Sequence, residues 1–185
     1  MPLRIALCGA GSAALRAHIP ALARAEEAGT TLLVGVVDHD PERAELVARR
    51  SVSARAYAGV EEMLETAAPD LLVVATPPSS HLAAVRAAVE RGVDVLCEKP
   101  LGVAAGDAQA LAALRASHPG TLLAPVHQYR HAPAWASVVE PVLRAAEAGA
   151  QPYALRVEVE RPGTDPLSAG GWRAAGLAEG GILGD

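Results

Sequence analysis

Short apolar runs and longer amphipathic stretches alternate along this chain. Leu3 to Cys8 is apolar except for Arg4, and the glycines behind it open a helical pattern from Ser12 to Ala28. Thr31 to Val37 is a second apolar run, after which Pro41 starts a helix with Asp40 placed to cap it. A weak strand over Ala54 to Tyr57 precedes a short helix from Val60 to Ala67. Leu71 to Ala75 is unbroken apolar sequence, as a strand buried on both faces requires. The next helix, Ser80 to Arg91, has Ser79 or Ser80 to cap its start and Gly92 to close its end. A strand from Val93 to Cys97, a helix from Val103 to Ser117 and a strand from Thr121 to Val126 complete the series.

Six strands separated by helices within residues 1–127 predict an α/β fold, a doubly wound parallel sheet with helices on both faces. Ligands of such sheets bind beyond the carboxyl ends of the strands, so the informative residues should follow strands. After His127 the pattern changes. A helix from Ala132 to Ala148, interrupted by Pro141, leads into Tyr153 to Glu160, whose strict alternation predicts a strand with one wet face. Pro162 to Gly184 is rich in glycine and proline.

Composition narrows the function classes. At 185 residues the chain has room for one domain with a sizeable core, or for one complete domain and part of a second. Its net charge of −5 comes with no basic stripe, so no nucleic-acid partner is expected. Phenylalanine is absent, which makes the expected core aliphatic and alanine-rich. Cys8 and Cys97 both lie in strand-like runs and read as reduced, buried thiols of a cytoplasmic protein. Ile5 to Leu15, with Ala23-Arg24-Ala25 behind it, has the outline of a leader peptide. Gly9 and Gly11 break that stretch, and Arg16 and His18 follow before any cleavage point, which argues against one. No run is long enough to span a membrane, and no membrane partner is expected.

The chemistry follows the strands. Gly9-Ala10-Gly11-Ser12-Ala13-Ala14 sits between the first strand and the first helix. The first glycine permits a tight turn, the second lets a pyrophosphate approach the backbone, and Ala14 is small enough for close helix–strand packing. Asp38 ends the second strand, where its carboxylate can accept from the two hydroxyls of an adenosine ribose and repel a 2′-phosphate. NAD is therefore the expected cofactor, ahead of NADP. Class I methyltransferases share a glycine turn and an acidic second-strand end, but usually carry an acidic residue where this chain has Cys8. Strand four ends in Thr76-Pro77-Pro78, whose prolines hold an extended wall beside the cofactor; His81 then either faces the nicotinamide or is simply an exposed helix residue. The chain's only lysine, Lys99, follows the fifth strand, although fifteen arginines serve elsewhere as cations. An ammonium can lose its proton and acts as a compact donor, which a guanidinium cannot do. His127 and His131 lack carboxylate or cysteine neighbours, so no metal site is expected.

Gly9-Ala10-Gly11, Asp38, Ala75-Thr76-Pro77 with His81, and above all Cys97-Glu98-Lys99-Pro100-Leu101-Gly102 resemble the Gfo/Idh/MocA family of nicotinamide-dependent oxidoreductases. The Glu-Lys-Pro segment is the most specific of these markers. The resemblance implies a Rossmann cofactor domain over 1–127 and, over 128–185, the start of an α+β substrate domain. It also implies hydride transfer to or from a hydroxyl-bearing carbon, commonly of a sugar or cyclitol. Lys99 would bond the reacting oxygen and exchange its proton, its pKa tuned by burial and neighbouring charge. Glu98 would contact the nicotinamide ribose or orient the lysine. Tyr129 and Arg130 would line the substrate pocket, although Arg130 serves equally well as a domain-interface cation.

In the family's pattern the aspartate matching Asp185 is catalytic and is followed by a histidine, whereas this sequence stops at Asp185. The expectation drawn from this is an NAD(H)-binding chain that catalyses poorly. Its strand at Tyr153 to Glu160 would invite pairing with another copy, giving a homo-oligomer through the C-terminal sheet. A non-catalytic NAD(H)-binding regulatory or interaction module is the second reading.

Overall fold

The computed structural model describes residues 1–151. The strand expected at Tyr153 to Glu160, the oligomer contact expected through it, and Asp185 lie outside the described residues. The chain divides into a compact unit of Met1–Val126 and a second that begins at His127.

In the first unit, six strands are joined by helices: β1 (Leu3–Cys8), β2 (Thr31–Val37), β3 (Arg55–Tyr57), β4 (Leu71–Val74), β5 (Asp94–Cys97) and β6 (Leu123–Pro125). They form one parallel sheet in the order β3-β2-β1-β4-β5-β6. The direction of winding reverses between β1 and β4, the switch point at which doubly wound sheets open a ligand crevice. Register brings the strand ends level. Cys8 lies opposite both Val37 and Val74, Val74 opposite Cys97, and Cys97 opposite Pro125.

Successive strand residues face opposite cores, because side chains alternate along a strand. Ile5, Leu7, Leu33 and Val73 pack with helices α1 (Ile19–Glu27, preceded by a π-helical turn over Ala14–His18) and α2 (Pro41–Ala48). Ala6, Cys8, Val34, Leu72 and Val74 pack with α3 (Val60–Ala67), α4 (His81–Val89) and α5 (Ala105–Ser117). Leu7 and Leu72 are completely buried, and truncating either to alanine costs about 2–5 kcal/mol at such sites. Gly35 in β2 makes room for Met63, whose side chain would lie 2.8 Å from a Cβ there.

Several local expectations hold. The Asp40 carboxylate accepts from the Glu42 and Arg43 amides at 3.0 and 3.4 Å, and so caps α2. Gly92 takes φ +73° after α4, the left-handed stop that glycine adopts freely.

Two expectations fail. Neither Ser79 nor Ser80 caps α4 through its side chain. Instead a 3-10 turn over Pro78–Ser80 runs directly into the helix, with the Ser80 amide donating to Pro77 O at 2.9 Å. In the second unit, helix α6 (Pro133–Glu147) continues through Pro141 without interruption. None of its residues is buried, so water can take the carbonyl that the proline leaves without a donor. No described helix is long and apolar enough to cross a membrane.

Candidate active site

Four loops leave the level strand ends of the first unit, and short backbone bonds tie each to its neighbour. The Gly9 amide donates to Val37 O at 2.8 Å and the Ala75 amide to Cys8 O at 2.7 Å. The Glu98 amide reaches Val74 O at 2.9 Å and the Val126 amide reaches Cys97 O at 2.7 Å. Gly9 has φ +98°, and a Cβ on it would lie 2.6 Å from the carbonyl of Ala75. No other residue type fits there. Gly11 differs, because nothing stands within 4 Å of where its Cβ would be. That open space lies over the amino end of a helix running on from Ser12, where amide dipoles favour an anion. Ala10 and Ala14 are fully buried beneath. The turn therefore fits a pyrophosphate.

Asp38 is turned inward. Its Oδ2 accepts from the Ala10 amide at 2.7 Å and its Oδ1 from the Asp40 amide at 2.9 Å. The side chain is 6% exposed, while His39, its Nδ1 2.9 Å from Oδ1, is open to solvent. The carboxylate thus first ties the glycine turn to the start of α2. Its remaining lone pairs are what a ribose could use.

His81 departs from the sequence reading. It is fully buried, with Nδ1 2.9 Å from Pro100 O and Nε2 2.8 Å from Thr76 O. It offers no surface to a cofactor. Its ring staples the loop after β4 to the loop after β5, because α4 points its first residue down between them. Thr76 and Pro77 form the other side of that joint, and the Thr76 hydroxyl finds no partner among the described residues.

The Glu98-Lys99-Pro100 segment leaves β5 beside this staple. Glu98 Oε1 lies 2.9 Å from His18 Nε2, both side chains being largely buried. Oε2 accepts weakly from the Lys99 amide at 3.3 Å. The His18 hydrogen bond holds the Glu98 carboxyl below its ordinary range, against a burial that works the other way; the charges of His18 and Lys99 and the Lys99 amide help. Lys99 itself is exposed, so the described residues do not bury it as the sequence reading required. Gly102 follows for a steric reason, since a Cβ there would collide with Asp107. The Asp107 Oδ2 accepts from the Val103 and Ala104 amides at 2.9 and 3.0 Å and so caps α5.

Cys8 and Cys97 are buried free thiols, as expected. Burial pushes each up to about 12, with the Asp38 charge adding to it at Cys8 and the Glu98 charge at Cys97. They are inert at neutral pH. Among the described residues no three His, Cys, Asp or Glu side chains converge to hold a metal ion.

The structure thus gathers Gly9, Ala10, Gly11, Ser12, Ala13, Asp38, Thr76, Pro77, Glu98 and Lys99 at one end of one sheet. Tyr129 and Arg130 lie on a 3-10 turn of the second unit, Gln128–His131, where the Arg130 side chain is exposed and its amide donates to His127 O at 2.9 Å. His18 is the residue that sequence reasoning missed. Its only signal was a histidine nine positions after the first glycine of the turn.

A sequence model of an oxidoreductase family with an NAD-binding Rossmann fold matches residues 3–125. The chain is 34% identical over 152 residues to a dTDP-3,4-didehydro-2,6-dideoxy-alpha-D-glucose 3-reductase of Saccharopolyspora spinosa, covering 80% of this chain and 43% of that protein. It is 37% identical over 103 residues to inositol 2-dehydrogenase 4 of Saccharopolyspora erythraea, covering 54% of this chain and 28% of that one. Among solved structures, the WlbA dehydrogenase of Bordetella pertussis, in complex with NADH and UDP-GlcNAcA, superposes with a TM-score of 0.67 at 26% identity. That match covers 80% of this chain and 42% of WlbA. In each case the match spans less than half of the other protein.

Proposed function

This chain belongs to the Gfo/Idh/MocA oxidoreductase family and carries its NAD-binding Rossmann fold, and from that premise we propose that the protein moves a hydride between NAD, rather than NADP, and a hydroxyl-bearing carbon of a sugar or cyclitol. The observation that carries this reading is Lys99. The only ammonium side chain of the sequence stands exposed at the carboxyl end of β5, beside the Glu98 carboxylate and on the same rim as the glycine turn. The substrate class is supported by the names of the relatives, a deoxysugar reductase and an inositol dehydrogenase.

NAD, when bound, supplies the hydride acceptor or donor. The chain's own residues do the rest. Ser12 and Ala13 present amides to the pyrophosphate, while Gly9 and Ala10 shape the turn and Gly11 leaves the room. Asp38 places negative charge where a 2′-phosphate would fall. Thr76 and Pro77 wall the nicotinamide side. Glu98 contacts the nicotinamide ribose or orients Lys99. Lys99 Nζ bonds the reacting oxygen, takes the hydroxyl proton as the carbon gives up its hydride, and returns it in the reverse direction.

Residues 1–127 serve as the cofactor domain and 128–185 belong to a substrate domain, with Tyr129, Arg130 and Asp185 as its substrate-site residues. The two unpaired buried thiols support a reducing setting, the cytoplasm.

The Lys99→Ala variant tests the reading. NADH fluorescence titration should give the unchanged affinity, while dehydrogenation across a panel of sugars and cyclitols should fall by about 100-fold or more. Equal turnover by the variant would remove Lys99 from the chemistry. NADH binding without turnover in the unsubstituted protein would favour a binding module instead.

A further inference from the structure

We propose that His18 is the positioning residue of the lysine loop: its imidazole grips the Glu98 carboxylate and so fixes the Glu98–Lys99 segment relative to the glycine-turn helix. This deepens, and rests on, the role given to Lys99 above.

The grip depends on an irregularity of the helix. Residues Ala14–His18 form a π-helical turn, closed by the Ile19 amide donating to Ala14 O. Such a turn carries one residue more than an α-helical turn, so every later side chain is set back by about 100° around the axis. Pro20 follows it, just after Ile19. Inside a continuous helix its ring would press on the carbonyl of Arg16, and widening the preceding turn relieves that clash. The same widening brings His18 against Glu98, 80 residues away in sequence, at 2.9 Å. Single-turn π distortions are frequent at functional sites, and here the distortion has an identifiable product.

The loop is held from its other side as well. His81 bonds Pro100 O, so Glu98, Lys99 and Pro100 lie between two histidine struts, one from each layer of helices. The lysine is the exposed member of the three. A flexible side chain on a clamped backbone is what proton exchange with a bound substrate needs, since catalytic groups must be held close to their working geometry.

The titratable groups facing Glu98 are His18 from the helix, Lys99 from the same loop and the Cys97 thiol of β5, with Cys8 of β1 beyond it. Because the sequence has one lysine, [15N]lysine labelling gives a single backbone amide resonance, and that amide donates to Glu98. Its pH dependence reads the protonation of Glu98 directly.

In His18→Leu the acid midpoint should move upward, since burial then acts without the hydrogen bond. In His18→Gln, whose amide can donate in place of the imidazole, it should stay low. The dissociation constant for NADH should rise about 3- to 10-fold in the leucine variant and less than about 2-fold in the glutamine variant, the scale of one partly buried hydrogen bond. Glu98→Gln, an isosteric change that keeps the fold should His18→Leu not, should abolish the transition at the Lys99 amide. An unchanged midpoint in His18→Leu, an equal rise in His18→Gln, or a transition surviving in Glu98→Gln would each overturn the proposal. If the unsubstituted chain takes up no NADH, the functional reading fails, while the amide titration still decides whether His18 holds Glu98.

Discussion

Replacing Gly9 and Gly11 by alanine, one at a time, should separate folding from cofactor capture. At Gly9 the new Cβ lands 2.6 Å from the carbonyl carbon and oxygen of Ala75 and 2.7 Å from the Thr76 nitrogen, at φ +98°. An L-residue in left-handed backbone costs about 1–2 kcal/mol before any contact is counted. The contacted atoms are backbone, so relief means parting the ends of β1 and β4. That strains the bonds from the Gly9 amide to Val37 O and from the Ala75 amide to Cys8 O, at 2.8 and 2.7 Å. Their loss removes about 1 kcal/mol each. The total of about 3–4 kcal/mol is a large part of the roughly 5–15 kcal/mol that holds a domain together. It should lower Tm by about 10 °C. At Gly11 nothing lies within 4 Å of the added carbon, and the residue caps the helix that follows, its carbonyl accepting from the Leu15 amide at 3.0 Å, a place where alanine is poorer than glycine by up to about 1 kcal/mol. Gly11→Ala should therefore lower Tm by only about 3 °C, far less than Gly9→Ala. Its methyl group occupies the space a pyrophosphate needs, so NADH affinity should fall at least about tenfold. Thermal melts followed by circular dichroism, paired with NADH fluorescence titration, measure both. Unchanged NADH affinity in Gly11→Ala would show that the pyrophosphate does not sit over this turn. An unchanged melt in Gly9→Ala would show that the closeness of the two strand ends is not what demands glycine.

Three further outcomes follow from the site. The Glu98 carboxyl sits below its ordinary range in the folded chain. Its contribution is therefore complete above the unfolded glutamate pKa and lost as pH falls through the folded one; urea midpoints between pH 6 and 3 should decline less steeply in Glu98→Gln than in the unchanged chain. With both thiols pushed up to about 12, iodoacetamide at pH 8 should leave Cys8 and Cys97 unmodified in the native chain and label both in urea, as read by mass spectrometry; rapid native labelling would contradict their burial. Lys99→Arg keeps the charge but not the readily released proton, so it should bind NADH normally and lose turnover nearly as fully as Lys99→Ala; activity near that of the unchanged protein would reduce the role of Lys99 to charge alone.

What could be read from the residues were features whose cause lies within a few positions. The parallel sheet with helices on both faces follows from apolar runs alternating with amphipathic ones, the α2 cap from Asp40 standing before Pro41, the tight turn after β1 from glycines between a strand and a helix. What stayed hidden were bonds between loops that meet only after the sheet is assembled. A carboxylate after β2 looks the same in sequence whether or not it also holds the amide of Ala10, and the fold gives Asp38 that bond. A histidine opening α4 looks the same whether exposed or buried, and the fold drives His81 into the joint between Thr76 and Pro100. The aim of His18 depended on a helix phase that the π-helical turn alters, and no periodicity count contains that phase. The three hidden contacts share a consequence. Each spends a polar side chain of the rim on holding a neighbouring loop, and together they leave Lys99 as the cation at the end of β5 that no described carboxylate side chain grips. Lys99 is thus singled out as the working group as much by what its neighbours are already engaged in as by being the sole lysine.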